Sequence, residues 1–154
     1  MNEKIRGAIF NSLGSIDGLS VLDSFAGSGA LAYEAISRGA SRAMLIERDT
    51  NAQRTIEENI MKLGLRDQTK LIRTSVSNWL QNNPELKFDI IFCDPPYNKL
   101  QINILQQLTC HVVDDGLLIL SWPGKIEIPK LDRLFIIKIR DFGDAQLVFY
   151  RKNV

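Results

Sequence analysis

An acid, two prolines and an aromatic ring stand in a row at Asp94-Pro95-Pro96-Tyr97, directly after the apolar run FDIIFC at 88–93. Those residue types suit one kind of chemistry. The exocyclic amine of a nucleobase is a poor nucleophile, because its lone pair is delocalised into the ring. A carboxylate at Asp94 and the carbonyl of Pro95 can each accept one N–H of such an amine. That favours a pyramidal nitrogen whose lone pair is free to attack. Pro95 has no N–H and restrains Asp94 towards extended backbone, and Pro96 does the same to Pro95, so the carbonyls are held stiffly with nothing local to bond them. Tyr97 adds a flat face for stacking. The contribution is positioning, with acceptors aimed where positive charge develops. The plainer alternative is a proline turn carrying an exposed acid.

Upstream, Gly27 and Gly29 follow the run LSVLDSF at 19–25. With Ala32, and with Glu47 about 20 residues on, they formally match a dinucleotide fingerprint. A dehydrogenase is therefore one candidate. Asp23 counts against it, because a carboxylate so close to the first glycine would repel a pyrophosphate. A cation would be welcome there. S-adenosylmethionine carries a sulfonium, an ammonium and a ribose, and no phosphate. Its amino-acid end suits the backbone of Gly27–Gly29 beside Asp23, and its ribose hydroxyls suit Glu47. Read structurally, Asp23 and Glu47 would be no more than strand-end caps.

These residues need a scaffold that brings them to one edge. Strand patterns at 19–25, 42–47, 69–74, 87–93 and 116–122 alternate with helical patterns at 29–39, 50–65, 76–83 and 99–111. Thr50 reads as a capping residue and Gly64 as a stop for the second of these helices; Ile102, Leu105 and Leu108 form the stripe of the last. Alternation of this kind predicts a doubly wound α/β fold with a mostly parallel sheet, whose ligands bind at the carboxyl ends of the strands. Segments 134–141 and 145–152 flank the tight turn Phe142-Gly143-Asp144. They are too close for a helical crossover, so they form a hairpin and the last strand runs antiparallel.

The 154 residues suit one domain. Hydrophobic residues make up 45% and charged residues 24%, ordinary for a soluble globular chain. Cys93 and Cys110 sit in apolar patterns, with no disulfide framework or metal site. The only histidine is His111, which excludes a multi-histidine metal centre; it is expected at the surface or a helix end. Trp79 reads as core, and Trp122 as a loop anchor near the active edge. No apolar run approaches a membrane span, and there is no signal pattern. A cytoplasmic protein without membrane contact is expected. Lys125, Lys130, Arg133, Lys138, Arg140, Arg151 and Lys152 outnumber the acids of the last segment. A nucleic-acid face is one reading of that bias, and mixed surface charge is the plainer one.

Taken together, D-x-F-A-G-S-G, the Glu ending the second strand and D-P-P-Y resemble amino-group methyltransferases that use S-adenosylmethionine. With EKIRGAIFNSL at 3–13 and FGDAQLVFY at 142–150, the chain resembles more narrowly the RsmD family, bacterial methyltransferases of a guanine amine in small-subunit ribosomal RNA. The resemblance implies a Rossmann-like methyltransferase sheet over residues 1–154, in one domain lacking the basic, β-rich N-terminal extension usual in the family. It implies a cofactor set of Asp23, Phe25, Gly27, Gly29, Glu47, Arg48, Ser75 and Val76, and a catalytic set of Asp94, Pro95, Pro96 and Tyr97. Arg6 and Asn11 would belong to a helix over the cofactor. Relatives often place an acid near the adenine after the third strand; here Thr74-Ser75-Val76-Ser77 offers at most a hydroxyl or a backbone N–H. The implied partner is small-subunit ribosomal RNA or the assembling subunit, met by a monomer. Rival readings are N-methylation of adenine in DNA or RNA, or of a protein amide, and a non-catalytic module that binds cofactor and RNA.

Overall fold

Apolar residues spaced for helices and strands alternate along the chain, and the computed structural model, which describes residues 1–154, follows that alternation. Its elements are α1 (Glu3–Leu13), β1 (Ser20–Asp23), α2 (Ala30–Ser37), β2 (Arg42–Glu47), α3 (Thr50–Leu63), β3 (Thr69–Arg73), α4 (Val76–Asn82), β4 (Phe88–Cys93), α5 (Ile102–Leu108), β5 (Val112–Pro123), β6 (Leu134–Asp141) and β7 (Ala145–Lys152). The sheet order is β3-β2-β1-β4-β5-β7-β6. β1 pairs in parallel with both β2 and β4, so the winding direction reverses between β1 and β4. That switch point is where open α/β sheets bind ligands. β7 is antiparallel to β5 on one side and to β6 on the other. The last strand of the chain is thus the one that runs against the rest, as the hairpin spacing predicts.

Period-2 alternation divides the core between the two faces of the sheet. Val21, Ile90, Phe92, Ile119 and Phe149 pack with Phe10 of α1, Ala35 of α2 and Ile56 of α3. Leu22, Ile91, Leu118, Leu120 and Tyr150 pack with Trp79 of α4 and Leu105 of α5. The strands that carry the site are therefore braced on both sides. No helix is long and apolar enough to cross a membrane.

Several expectations are corrected. The cap of α3 is Asp49, whose side chain accepts from the Ala52 N–H at 2.9 Å, and Thr50 is the first helical residue. The last helix is shorter than the expected 99–111 span, running only from Ile102 to Leu108, and of its apolar stripe Leu105 and Leu108 are buried while Ile102 is 48% exposed. β5 starts four residues early, at Val112, through a register shift against β4 between Phe88 and Ile90. His111 does stand at a helix end, closing the 3-10 turn Thr109–His111 after α5, but it is buried and not at the surface. Its ring lies 4.9 Å from that of Trp79 and its Nδ1 is 2.6 Å from the Leu86 carbonyl, and burial holds its pKa below the usual value. Cys110 is exposed, whereas Cys93 is buried as expected. Trp79 is core, and Trp122 is a loop anchor whose Nε1 donates to the Glu127 carbonyl.

Gly29 illustrates how backbone constraints shape the loop before α2. Its φ is +85°, and a Cβ there would run into the phenol end of Tyr33. Gly29→Ala is expected to cost roughly 1–3 kcal/mol through the left-handed backbone and the displaced ring. A urea midpoint within error of wild type would refute this.

Candidate active site

The ends of β1, β2 and β4 are tied to one another by the loop that follows β1. Ser24 donates both its backbone N–H, at 3.1 Å, and its hydroxyl, at 2.6 Å, to the Phe92 carbonyl. Ala26 N–H donates to the Ile46 carbonyl at 3.0 Å. Gly27 N–H then reaches Glu47 Oε1 at 2.8 Å, while Asp49 N–H reaches Oε2 at 2.8 Å. Each carboxylate oxygen has a second lone pair left. Glu47 is consequently fixed in orientation and still able to accept from a pair of hydroxyls.

Asp23 is the unusual group. It is 1% exposed, and neither carboxylate oxygen makes a hydrogen bond of good geometry, the nearby Phe25 backbone N–H offsetting only a small part of the cost of burial. Burial, reinforced by the charges of Asp94 and Glu47, pushes its pKa up to about 7. An orphaned buried carboxylate asks for a cation. Next to the cavity that Glu47 lines, the donor and acceptor set fits a ligand with an ammonium group and a vicinal diol. It does not fit a pyrophosphate, which would face Glu47 and Asp94 with Asp23 buried close by. The dehydrogenase alternative loses its footing on that charge.

Two cavities meet at the end of β4. The first, about 1030 Å³, is walled by Phe25, Gly27, Glu47 and Arg48, by the segment Thr74–Ser77, and by residues around the start of α5. The second, about 620 Å³, is walled by Pro95 and Tyr97, by Ser121 of β5, by Lys4 of α1 and by the β6–β7 turn. Asp94 and Pro96 line both. An arrangement with one carboxylate on the boundary of two chambers can bring a group in one chamber against a group in the other. Burial raises the pKa of Asp94, and this is partly offset by the Met1 ammonium, 3.8 Å from Oδ2, and by the Ser121 hydroxyl. Tyr97 is fixed by a 2.7 Å hydrogen bond between its hydroxyl and that of Ser121. Cys93 is no nucleophile, because burial pushes its thiol up to about 12.

Not every residue singled out in the sequence reaches a cavity wall. Phe25, Gly27, Glu47, Arg48, Ser75, Val76, Asp94 and Pro96 line the first; Pro95 and Tyr97 line the second. Asp23 lies beneath the floor, one residue before the lining Ser24, and Gly29 is buried in the turn. The Ser75 hydroxyl caps α4 by accepting from Asn78 N–H at 3.1 Å, which leaves its O–H free to donate. Arg6 and Asn11 line neither cavity; α1 contributes its first turn, at the second cavity, through Lys4 and Ile5. Ser121 was not singled out from the sequence. Its signal was a lone hydroxyl in the apolar run LLILSW.

Residues 1–151 match the model of a family described as Conserved hypothetical protein 95. The chain is 30% identical over 158 residues to YlbH of Bacillus subtilis, provisionally named an rRNA methyltransferase, covering 98% of this chain and 86% of that protein. It is 39% identical over 108 residues to Ribosomal RNA small subunit methyltransferase D of Buchnera aphidicola, covering 67% of this chain and 56% of that one. The match to this relative therefore spans just over half of its length. Among solved structures, a conserved hypothetical protein of Streptococcus pyogenes superposes with a TM-score of 0.88 at 32% identity, over 96% of this chain and 95% of the other.

Proposed function

This chain belongs to the Conserved hypothetical protein 95 family, that of the RsmD methyltransferases, and from that membership we propose that it methylates the exocyclic amine of a guanine in small-subunit ribosomal RNA. The observation that carries the reading is the place of Asp94 and Pro96, on the shared wall of two chambers. S-adenosylmethionine, when bound, supplies a methyl group made electrophilic by the sulfonium. The first cavity suits this cofactor: Asp23 answers its ammonium and Glu47 its ribose hydroxyls. Phe25, Gly27, Arg48, Ser75 and Val76 form the surrounding wall, and Gly29 sets the turn. The second cavity takes the base. Asp94 and the Pro95 carbonyl accept the two N–H bonds of the amine, freeing its lone pair. Tyr97, held by Ser121, supplies the stacking face. Asp94 would be the acceptor for the proton that the methylated amine has to lose.

A base paired in RNA has to be extruded to reach this depth. The substrate is the ribosomal RNA or the assembling subunit, met by a monomer in the cytoplasm, with residues 1–154 acting as one methyltransferase domain. The test is transfer from labelled S-adenosylmethionine to unmodified small subunits, naked ribosomal RNA and DNA in parallel, followed by nucleoside mass analysis. Label in a methylguanine is the expected result. Label in methyladenine or in protein, or cofactor binding with no label anywhere, would overturn the proposal in favour of its rivals.

A further inference from the structure

We infer that Asp144, at the tip of the β6–β7 hairpin, makes the second cavity selective for guanine by accepting the N1–H next to the amine that Asp94 holds. The inference rests on the function proposed above and names the part of the site that chooses the base. Phe142, Asp144 and Ala145 line the cavity that also contains Asp94, Pro95 and Tyr97. The tip that carries them is locked to the end of β5. Gly124 N–H donates to the Asp144 carbonyl at 3.0 Å, and a Cβ at Gly124 would overlap the Gly143 carbonyl. Within the turn, Phe142 N–H donates to the Ala145 carbonyl at 2.8 Å and Gly143 N–H to Asp141 Oδ1 at 2.8 Å, with Gly143 at φ +82°. Gln146 Nε2 then donates to the carbonyls of Pro123, at 2.9 Å, and Ile126, at 3.0 Å. A tip clamped at so many points holds the backbone of Asp144 in place on the cavity wall, with its carboxylate taken by no other group of the protein.

The chemistry of the three amino bases supplies the rest. In guanine the C2 amine is flanked by N1–H, a donor, with the O6 acceptor beyond it. In adenine and cytosine the ring nitrogen next to the amine carries a lone pair. Two carboxylates on the wall of one cavity, Asp94 and Asp144, complement the two neighbouring donors that only guanine offers. Against adenine or cytosine the second carboxylate faces a lone pair, so the wrong base is repelled as well as left unpaired. Lys4 of α1, which lines the same cavity, is a donor of the kind O6 requires. A well-placed contact of this sort discriminates on the order of 10- to 100-fold.

The experiment uses small subunits reconstituted with either guanine or 2-aminopurine at the position found to be methylated. 2-Aminopurine keeps the C2 amine but has a lone pair at N1 and lacks O6. Wild type should prefer guanine by on the order of 10- to 100-fold in kcat/KM. Asp144→Asn, whose amide can donate to a bare N1, and Asp144→Ala should each lose roughly tenfold or more on guanine and little on 2-aminopurine, collapsing the preference. Cofactor affinity and the thermal midpoint should stay at wild-type values, since the residue is exposed. O6 is absent from 2-aminopurine whichever protein is used, so the change in the ratio reports on N1. Equal losses on both substrates, or an unchanged preference, would overturn the inference. If wild type itself fails to methylate guanine, the underlying function has failed, and that failure is visible before any substitution is made.

Discussion

Asp94→Asn is expected to slow methyl transfer by about 10²–10³-fold in single-turnover measurements while leaving cofactor affinity undiminished. The amide keeps the shape of the side chain and one acceptor, but it loses the negative charge that offsets the charge developing on the attacking nitrogen. It also presents an NH₂ where the amine presents its own N–H. Asp94 is placed for a rate effect rather than a binding effect, because it stands on the partition between the chambers and not deep in either. The electrostatics sharpen the expectation. The Asp94 charge helps raise the pKa of Asp23, so removing it favours the ionised Asp23 that a cationic ligand needs. Cofactor binding near neutral pH should hold or improve as turnover collapses. A parallel loss of affinity and rate would show that Asp94 belongs to the cofactor site and would remove the two-chamber mechanism.

The parts of this site that were legible in the sequence are those written in consecutive residues. Asp94-Pro95-Pro96-Tyr97 announces its own rigidity, and Asp23 to Gly29 announces a strand, a tight loop and a helix start. Strand ends follow from apolar runs, which is why β2, β6 and β7 fall where their patterns put them. What was not legible depends on elements far apart in the chain. Ser121 matters because β5 lies next to β4, bringing its hydroxyl to Tyr97, 24 positions away. Asp144 matters because β7 inserts between β5 and β6, which carries the turn to the end of β5. A histidine at the end of a helical pattern is ordinarily wet, yet Trp79 and the Leu86 carbonyl, both from other elements, bury His111. Ser75 shows the opposite limit. Its hydroxyl caps α4 by accepting from Asn78 N–H and keeps its own O–H to donate into the first cavity, a double use that the sequence pattern does not show.

Asp23→Asn is expected to stabilise the ligand-free protein at alkaline pH and to abolish useful cofactor binding. The sign follows from the proton. The carboxyl has a pKa of about 7 folded against 3.8 as a model group, so the folded state holds its proton more tightly than the unfolded chain does. Below pH 3.8 both states are protonated, and Asp23 contributes no pH dependence. As pH rises from there to about 7 the unfolded chain ionises first and stability falls; above that window the loss is complete, at roughly 4 kcal/mol. Asn has no such proton to lose. Urea unfolding at pH 8.5 should therefore show the variant more stable by roughly 2–4 kcal/mol, with the advantage shrinking towards pH 4. The same carboxylate is the partner for an ammonium, and that pairing lowers its pKa. Binding in wild type should then release a proton below pH 7 and weaken up to about tenfold per pH unit as the solution is acidified, which calorimetry in two buffers would detect. The variant should bind cofactor at least roughly 100-fold more weakly, with no proton release. Equal stability of the two proteins at pH 8.5 would mean that Asp23 is not held near neutrality by burial. Unchanged affinity would mean that its orphaned oxygens do not face the cation. An acid left unpaired beneath the glycine loop is stability given up for function, and the two measurements on one variant test both halves of that exchange.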